Sequence, residues 1–336
     1  MTTTLPAQET PVRRRAVPRL ARMRDLALVP AIVALLVVGA LIDPVFLTRA
    51  NLVNVLQQQT ELSLLVLAET LILIGGRFDL SLESTVGLAP ALGVALVIPA
   101  ASHGLGTEWA TALAVPLCLL AGVLVGALNG VLILRFGLSA FIVTLGMLIT
   151  LRGVQIGITG GQSLFDPPPS VMYLGNTAWL GLPLSIWVCA VVFAAGIAVL
   201  GWFRHGRAVY AIGGNADAAR AAGIRTDRVM YAVFMIAGLL AALAGLLMTG
   251  RLGSIAAAQG DGMIFKVFAA AVIGGVSMNG GKGTLFGALC GVLVLGLVEN
   301  VLTLAGVSAQ WIQAVYGLVI LVALVLARLT TGRAQD

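Results

Sequence analysis

This sequence is poor in charge, in histidine and in cysteine. Only 10% of its 336 residues are Asp, Glu, Lys or Arg, against about 25% in ordinary soluble domains, which excludes a soluble globular protein. Cys118, Cys189 and Cys290 lie inside apolar runs with no CxxC or Cys/His spacing, so neither a disulfide framework nor a metal site is indicated. The two histidines, His103 and His205, fall in loops without ligand partners, and histidine-based chemistry has little to draw on. A phosphate-cradling P-loop is also missing. In "GVSMNGGKGT" (275–284), Lys282 is followed by Gly283 instead of Ser or Thr, and Val276 stands where the opening glycine belongs. No GxSxG, HExxH or paired-carboxylate pattern occurs either. The chain is expected to be no enzyme and to hold no cofactor of its own.

What is present is apolar surface, 59% of all residues. Runs long enough to cross a hydrocarbon core of about 30 Å recur throughout, which predicts an all-α polytopic membrane protein. Ten segments are read, at 26–46, 52–75, 82–100, 109–134, 139–158, 184–203, 229–250, 263–280, 284–305 and 311–329. The first run could also be a signal peptide cut near Val38 and Ala40, but its continuation through "LIDPVF" suits a spanning helix better. Residues 1–24 read as a disordered cytoplasmic tail ahead of a membrane domain at 25–330.

The net charge of +6 reports topology, not nucleic-acid binding. With both termini cytoplasmic, 16 of the 20 basic residues fall inside, leaving Arg49, Arg152, Arg251 and Lys266 toward the outer side. The loop at 159–183 is then external. Its three prolines, 167 to 169, argue against a regular helix, and Phe165, Tyr173 and Trp179 suit an interfacial or docking surface.

Two stretches echo each other. "GVLVGALNGVL" (122–132) and "GTLFGALCGVL" (283–293) agree at eight of eleven positions, each with a GxxxGxxxG frame: Gly122, Gly126, Gly130 and Gly283, Gly287, Gly291. Such frames allow close helix packing. Five segments apart, the copies run in opposite directions, which hints at an inverted-topology repeat with a transport route between its halves. Polar residues inside the apolar runs, namely Glu69, Asn129, Thr144, Gln155, Glu299 and Asn300, must face another helix or a wet cavity. Glu61 and Glu69, eight apart, share a helical face.

The largest cytoplasmic loop, 204–228, contains Gly206 followed by "RAVYAIGGNADAARAAGI" (207–224). Asn215 is a good N-cap, alanines follow, and Gly223 stops the run, which predicts a short helix with small side chains lying on the membrane face. The stretch 206–224 resembles the coupling segment of bacterial ABC-importer permeases of the ribose/xylose/arabinose type. Supporting matches are "FGLSAFIVTLGMLITLRG" (136–153), "GALNGVLI" (126–133) and "AVIGGVSMNGGKGTLFGALCG" (271–291). The resemblance implies a dimerising permease that imports a sugar or related solute. Its partners would be a cytoplasmic ATPase subunit that binds ATP and Mg, and a periplasmic solute-binding protein. Gly206, Arg207, Tyr210, Gly213, Gly214, Asn215, Ala219 and Gly223 carry over as the coupling segment. Phe141, Thr144 and Asn129 fall in matched membrane motifs and, with Glu69, Gln155 and Asn300, are the candidates for the solute route. One departure stands out: "GGRFDLSLES" (75–84) carries an extra residue and Glu83 where that family has a small glycine. From the residues alone, an ion-coupled secondary transporter or channel using Glu61, Glu69 or Glu299 is one alternative, and an export or lipid-handling permease with similar coupling is another.

Overall fold

The computed structural model describes residues 28–107, 109–318 and 321. The expected tail at 1–24 and most of the expected segment at 311–329 lie outside the described residues. The helices, in chain order, are α1 (Val29–Ile42), α2 (Arg49–Ile74), α3 (Leu82–Ala95), α4 (Ala114–Gly130), α5 (Ala140–Thr159), α6 (Pro169–Asn176) and α7 (Leu184–Trp202). After them come α8 (Arg204–Gly214), α9 (Ala216–Ala221), α10 (Thr226–Leu252), α11 (Met263–Ile273) and α12 (Leu285–Leu304), with a further helical stretch over 309–318. Two small antiparallel pairs complete the fold: β1 (Leu164–Phe165) with β4 (Ser254–Ile255), and β2 (Ala178–Trp179) with β3 (Leu182–Pro183).

Among the described residues, five helices are long and apolar enough to cross a membrane: α4 within the helical stretch Thr111–Arg135, α5, α7, α10 and α12. The central helix α2 has the length, at 26 residues, but its first half is polar, and every residue from Gln59 to Ile74 is buried. The segments expected at 82–100 and 263–280 shorten to helices of 14 and 11 residues. At 1.5 Å per residue they reach about 21 and 17 Å, short of a full crossing. The chain enters each through a non-helical connector, 75–81 and 253–262, with glycines at positive φ such as Gly76 and Gly260.

Helices α2 and α10 pack antiparallel at the centre. Glu61 on α2 pairs with Arg251 at the far end of α10, while Gly75 meets Met230 near the start of α10. Glycines permit the closest approaches. A Cβ at Gly122 would strike the Gly238 carbonyl of α10, and one at Gly126 the Phe234 carbonyl. In the second echo, Gly287 and Gly291 meet the carbonyls of Gly274 and Ala270, so they face α11 and its end. Gly130 packs on the Tyr231 ring, and Gly283 lies in the connector before α12, not within the helix.

The segment at 159–183 is more ordered than its prolines imply. Pro169 starts α6 at a position whose N–H has no helical partner in any case. Val171 and Gly175 are buried, with Gly175 backbone to backbone against Gly250. Phe165, Tyr173 and Trp179 stay exposed.

The glycine contacts generate a prediction. Gly126→Val should cost about 2–3 kcal/mol through overpacking, read as a loss of thermal stability in detergent. Gly201→Ala, with no atom within 4 Å of its Cβ position, should stay within about 0.5 kcal/mol. Equal melting temperatures would deny that the Gly126 contact is tight.

Candidate functional site

Hydrocarbon provides no hydrogen bonds, so every polar group on the buried helices must find a protein partner. Along α2 these partners come in sequence. Asn51 and Asn300 exchange amide hydrogen bonds at 2.9 and 3.0 Å, and Gln57 donates to the Gly175 carbonyl. The buried Glu61 carboxylate accepts from Arg251 Nε at 2.8 Å. Near the other end, Glu69 Oε1 accepts the Asp79 N–H at 3.4 Å.

Glu69 belongs to a fully buried knot. Asn129 Nδ2 donates to Asp79 Oδ2 at 3.0 Å and to Ser81 Oγ at 2.8 Å, while Ser81 Oγ donates to Asp79 Oδ1 at 2.6 Å. Thr85 Oγ1 closes onto the Ser81 carbonyl. The knot pins the connector 75–81 to α4, and thereby sets where α3 begins.

A second knot joins the two short helices. Glu83 sits in the first turn of α3, and its Oε2 accepts the Ile264 N–H of α11 at 3.0 Å. One carboxylate therefore faces two helix N-termini, where partial positive charge concentrates. Arg152 of α5 reaches Glu83 at 3.7 Å and Asp261 at 3.2 Å. Pro90, inside α3, leaves the Val86 carbonyl without its helical donor. Gln259 supplies one, with Nε2 3.1 Å from that oxygen. Gln155 donates to the carbonyls of Ala256 and Ala257 in the same connector.

The sequence-derived route residues are thus not gathered at one place. Glu69 and Asn129 share the first knot, Gln155 lies in the second, and Asn300 pairs with Asn51. Thr144 is buried and bonds back to the Ala140 carbonyl of its own helix, whereas Phe141 is 51% exposed. Of the residues proposed for ion coupling, Glu61 is paired with Arg251, and Glu299 with Lys266 at 3.2 Å. The ammonium of Lys266 also lies 4.6 Å from the Tyr316 ring centre. Sequence reasoning misses Asp79, Ser81 and Gln259. Arg152 and Arg251 stand out in the sequence only as exceptions to the charge rule, which is the usable signal.

The 204–228 segment holds two helices where one was expected. Arg204–Gly214 folds as α8 because Gly206, Val209 and Ile212 form a buried face, and a Cβ at Gly206 would meet the Val199 carbonyl. Asn215 ends α8 and caps α9, its Oδ1 accepting Ala218 N–H at 2.9 Å. Ala219 is the buried residue of α9, and Gly223 follows at φ +84°. Gly214 has open space at its Cβ position, and Arg207 donates to the Trp202 carbonyl. Tyr210 donates to the Gly283 carbonyl at 2.8 Å. A Cβ on Gly213 would collide with the Ile74 carbonyl, which itself accepts Gly281 N–H at 2.8 Å.

The Glu61–Arg251 pair can be tested. Arg251→Met strands a buried carboxylate and should cost about 3–5 kcal/mol; adding Glu61→Leu should restore much of that loss. Detergent unfolding of both single variants and the double variant reads the coupling, and additive losses would deny it.

Comparison with known proteins adds the family. Residues 51–324 match the family model described as the permease component of the branched-chain amino acid transport system. The chain is similar to the ribose import permease protein RbsC of Escherichia coli K12, 35% identical over 87% of this chain and 90% of that protein. It is also similar to the autoinducer 2 import system permease protein LsrC of Klebsiella pneumoniae, 37% identical over 91% and 87%. A third relative is the probable ABC transporter permease protein YphD of Escherichia coli K12, 37% identical over 93% and 92%. No solved structure matches. A multi-pass helical bundle of this kind, matched over most of its length, belongs to the family of transport-system permease components, the membrane subunits of ABC importers.

Proposed function

We propose that this permease carries a neutral sugar or related small polar solute from periplasm to cytoplasm. A separate cytoplasmic ATPase, binding ATP and Mg, would dock on 204–228, and a periplasmic solute-binding protein would deliver the solute. The termini are then cytoplasmic, in a bacterial inner membrane. The observation that carries the reading is the seating of α8 against two connectors at once. Tyr210 and Gly213 bond or pack against residues 74–76 and 280–283, which lead to α3 and α12. A displacement of α8 by an ATPase would move both. The relatives named for ribose and autoinducer 2 import favour a small polar cargo. Glu83 argues for a neutral one, because paired half-helix N-termini would otherwise suit an anion.

We also infer ten passes built on an inverted repeat. The run α2, connector, α3, α4 matches α10, connector, α11, α12 in order and kind of element, and α2 opposes α10 in direction. A second permease copy or a related chain would pack against α5. That helix leaves Gly146, Thr150, Gly153 and Gly157 exposed on one face, a small-residue strip suited to a neighbouring helix. Phe141 stands exposed at the same helix's beginning.

Two outcomes test this. In proteoliposomes containing the partner ATPase, Gly213→Val should lower ATP-driven uptake at least about tenfold while solute-independent ATP hydrolysis persists; unchanged uptake would remove α8 as the coupling element. Gly146→Cys should cross-link copies on mild oxidation, since Cys118, Cys189 and Cys290 are all buried. Only monomer on the gel would exclude α5 as the contact.

A further inference from the structure

We propose that the chain holds one anionic phospholipid in a groove between α7, α8 and the start of α10. The groove has a volume of about 890 Å³. Arg204, Arg207, Arg225 and Arg228 stand around it, all exposed. No carboxylate among the described residues forms an ion pair with any of the four. Asp227 is the nearest acidic neighbour in sequence, and it accepts from Thr226. The inner wall is apolar, formed by Leu200, Val229, Val233 and Ile236.

Depth selects a lipid over a protein. Ile236 lies ten residues into α10, about 15 Å along its axis, beyond the reach of a subunit docking from the water. Trp202 and Phe203, at the end of α7, are 79% and 56% exposed, and exposed aromatics at a helix end mark the headgroup level. A phosphate among the arginines with its acyl chain along Val233 and Ile236 satisfies both walls. The positive-inside tendency explains basic residues on this side; it does not explain their ring around an apolar groove. By contrast, all four basic residues assigned to the outer side have protein partners: Arg49 with the Gly181 carbonyl, Arg152 with Glu83 and Asp261, Arg251 with Glu61, and Lys266 with Glu299. Lipid binding here is independent of which solute is carried.

The experiment is native mass spectrometry of the permease, purified with its bound partners and exchanged into phosphatidylcholine vesicles containing graded phosphatidylglycerol. Wild type should retain one phosphatidylglycerol per chain and no phosphatidylcholine. Arg225→Gln with Arg228→Gln should weaken retention about thirtyfold, the effect of two charges near a membrane surface. Ala232→Phe, at an exposed position lining the groove, fills it without altering charge and should also displace the lipid. Equal retention of both lipids would overturn the proposal, as would wild-type retention in both variants. Loss of the ATPase from the arginine variant with phosphatidylglycerol still bound would reassign the groove to the protein interface.

Discussion

The rest of the structure depends on closing off two short helices, α3 and α11, whose first turns are buried inside the bundle. A helix end leaves four backbone groups without partners, and hydrocarbon offers none. The beginnings of α3 and α11 meet at one carboxylate, Glu83, which lies in the first turn of one and accepts the Ile264 N–H of the other. Arg152 holds that carboxylate from α5, and Gln259 fills the vacancy made by Pro90. Breaking the helices therefore requires side chains drawn from other elements. It yields two connectors that can be moved without unwinding a full transmembrane helix.

Two connectors, 75–81 before α3 and 274–284 between α11 and α12, link the buried chemistry to the 204–228 segment. The 75–81 connector is tied internally by Asn129 and Ser81, and at its start by the contact of Gly213 with the Ile74 carbonyl. The connector between α11 and α12 is tied by Tyr210 and by the Gly281 N–H. Both meet the same short helix, α8. A transport cycle driven from one face needs such a junction, because packed helices transmit discrete displacements and do not deform smoothly.

Charge is handled differently in two parts of the fold. The basic residues assigned outside are each engaged by a specific partner and hold the fold together. Around α8 and the start of α10, Arg204, Arg207, Arg225 and Arg228 form no ion pair with a carboxylate among the described residues.

Much of this was legible in the sequence. Apolar runs of 19 to 27 residues declare spanning helices because the bilayer thickness sets the length. Asn215, the alanines and Gly223 spell a capped and terminated helix, since capping depends on neighbours in the chain. The motifs of 206–224 and 271–291 pointed to the family because close backbone approach constrains local residue types. Tertiary structure alone decided the rest. The pairing of Glu83 with Ile264, of Asn129 with Asp79, and of Gln259 with Val86 joins residues 50 to 181 positions apart. The shortness of α3 and α11 was equally hidden, because an apolar run looks the same whether it is helical throughout or only in part. Hydropathy records what a residue avoids; only the folded chain determines which partner it finds.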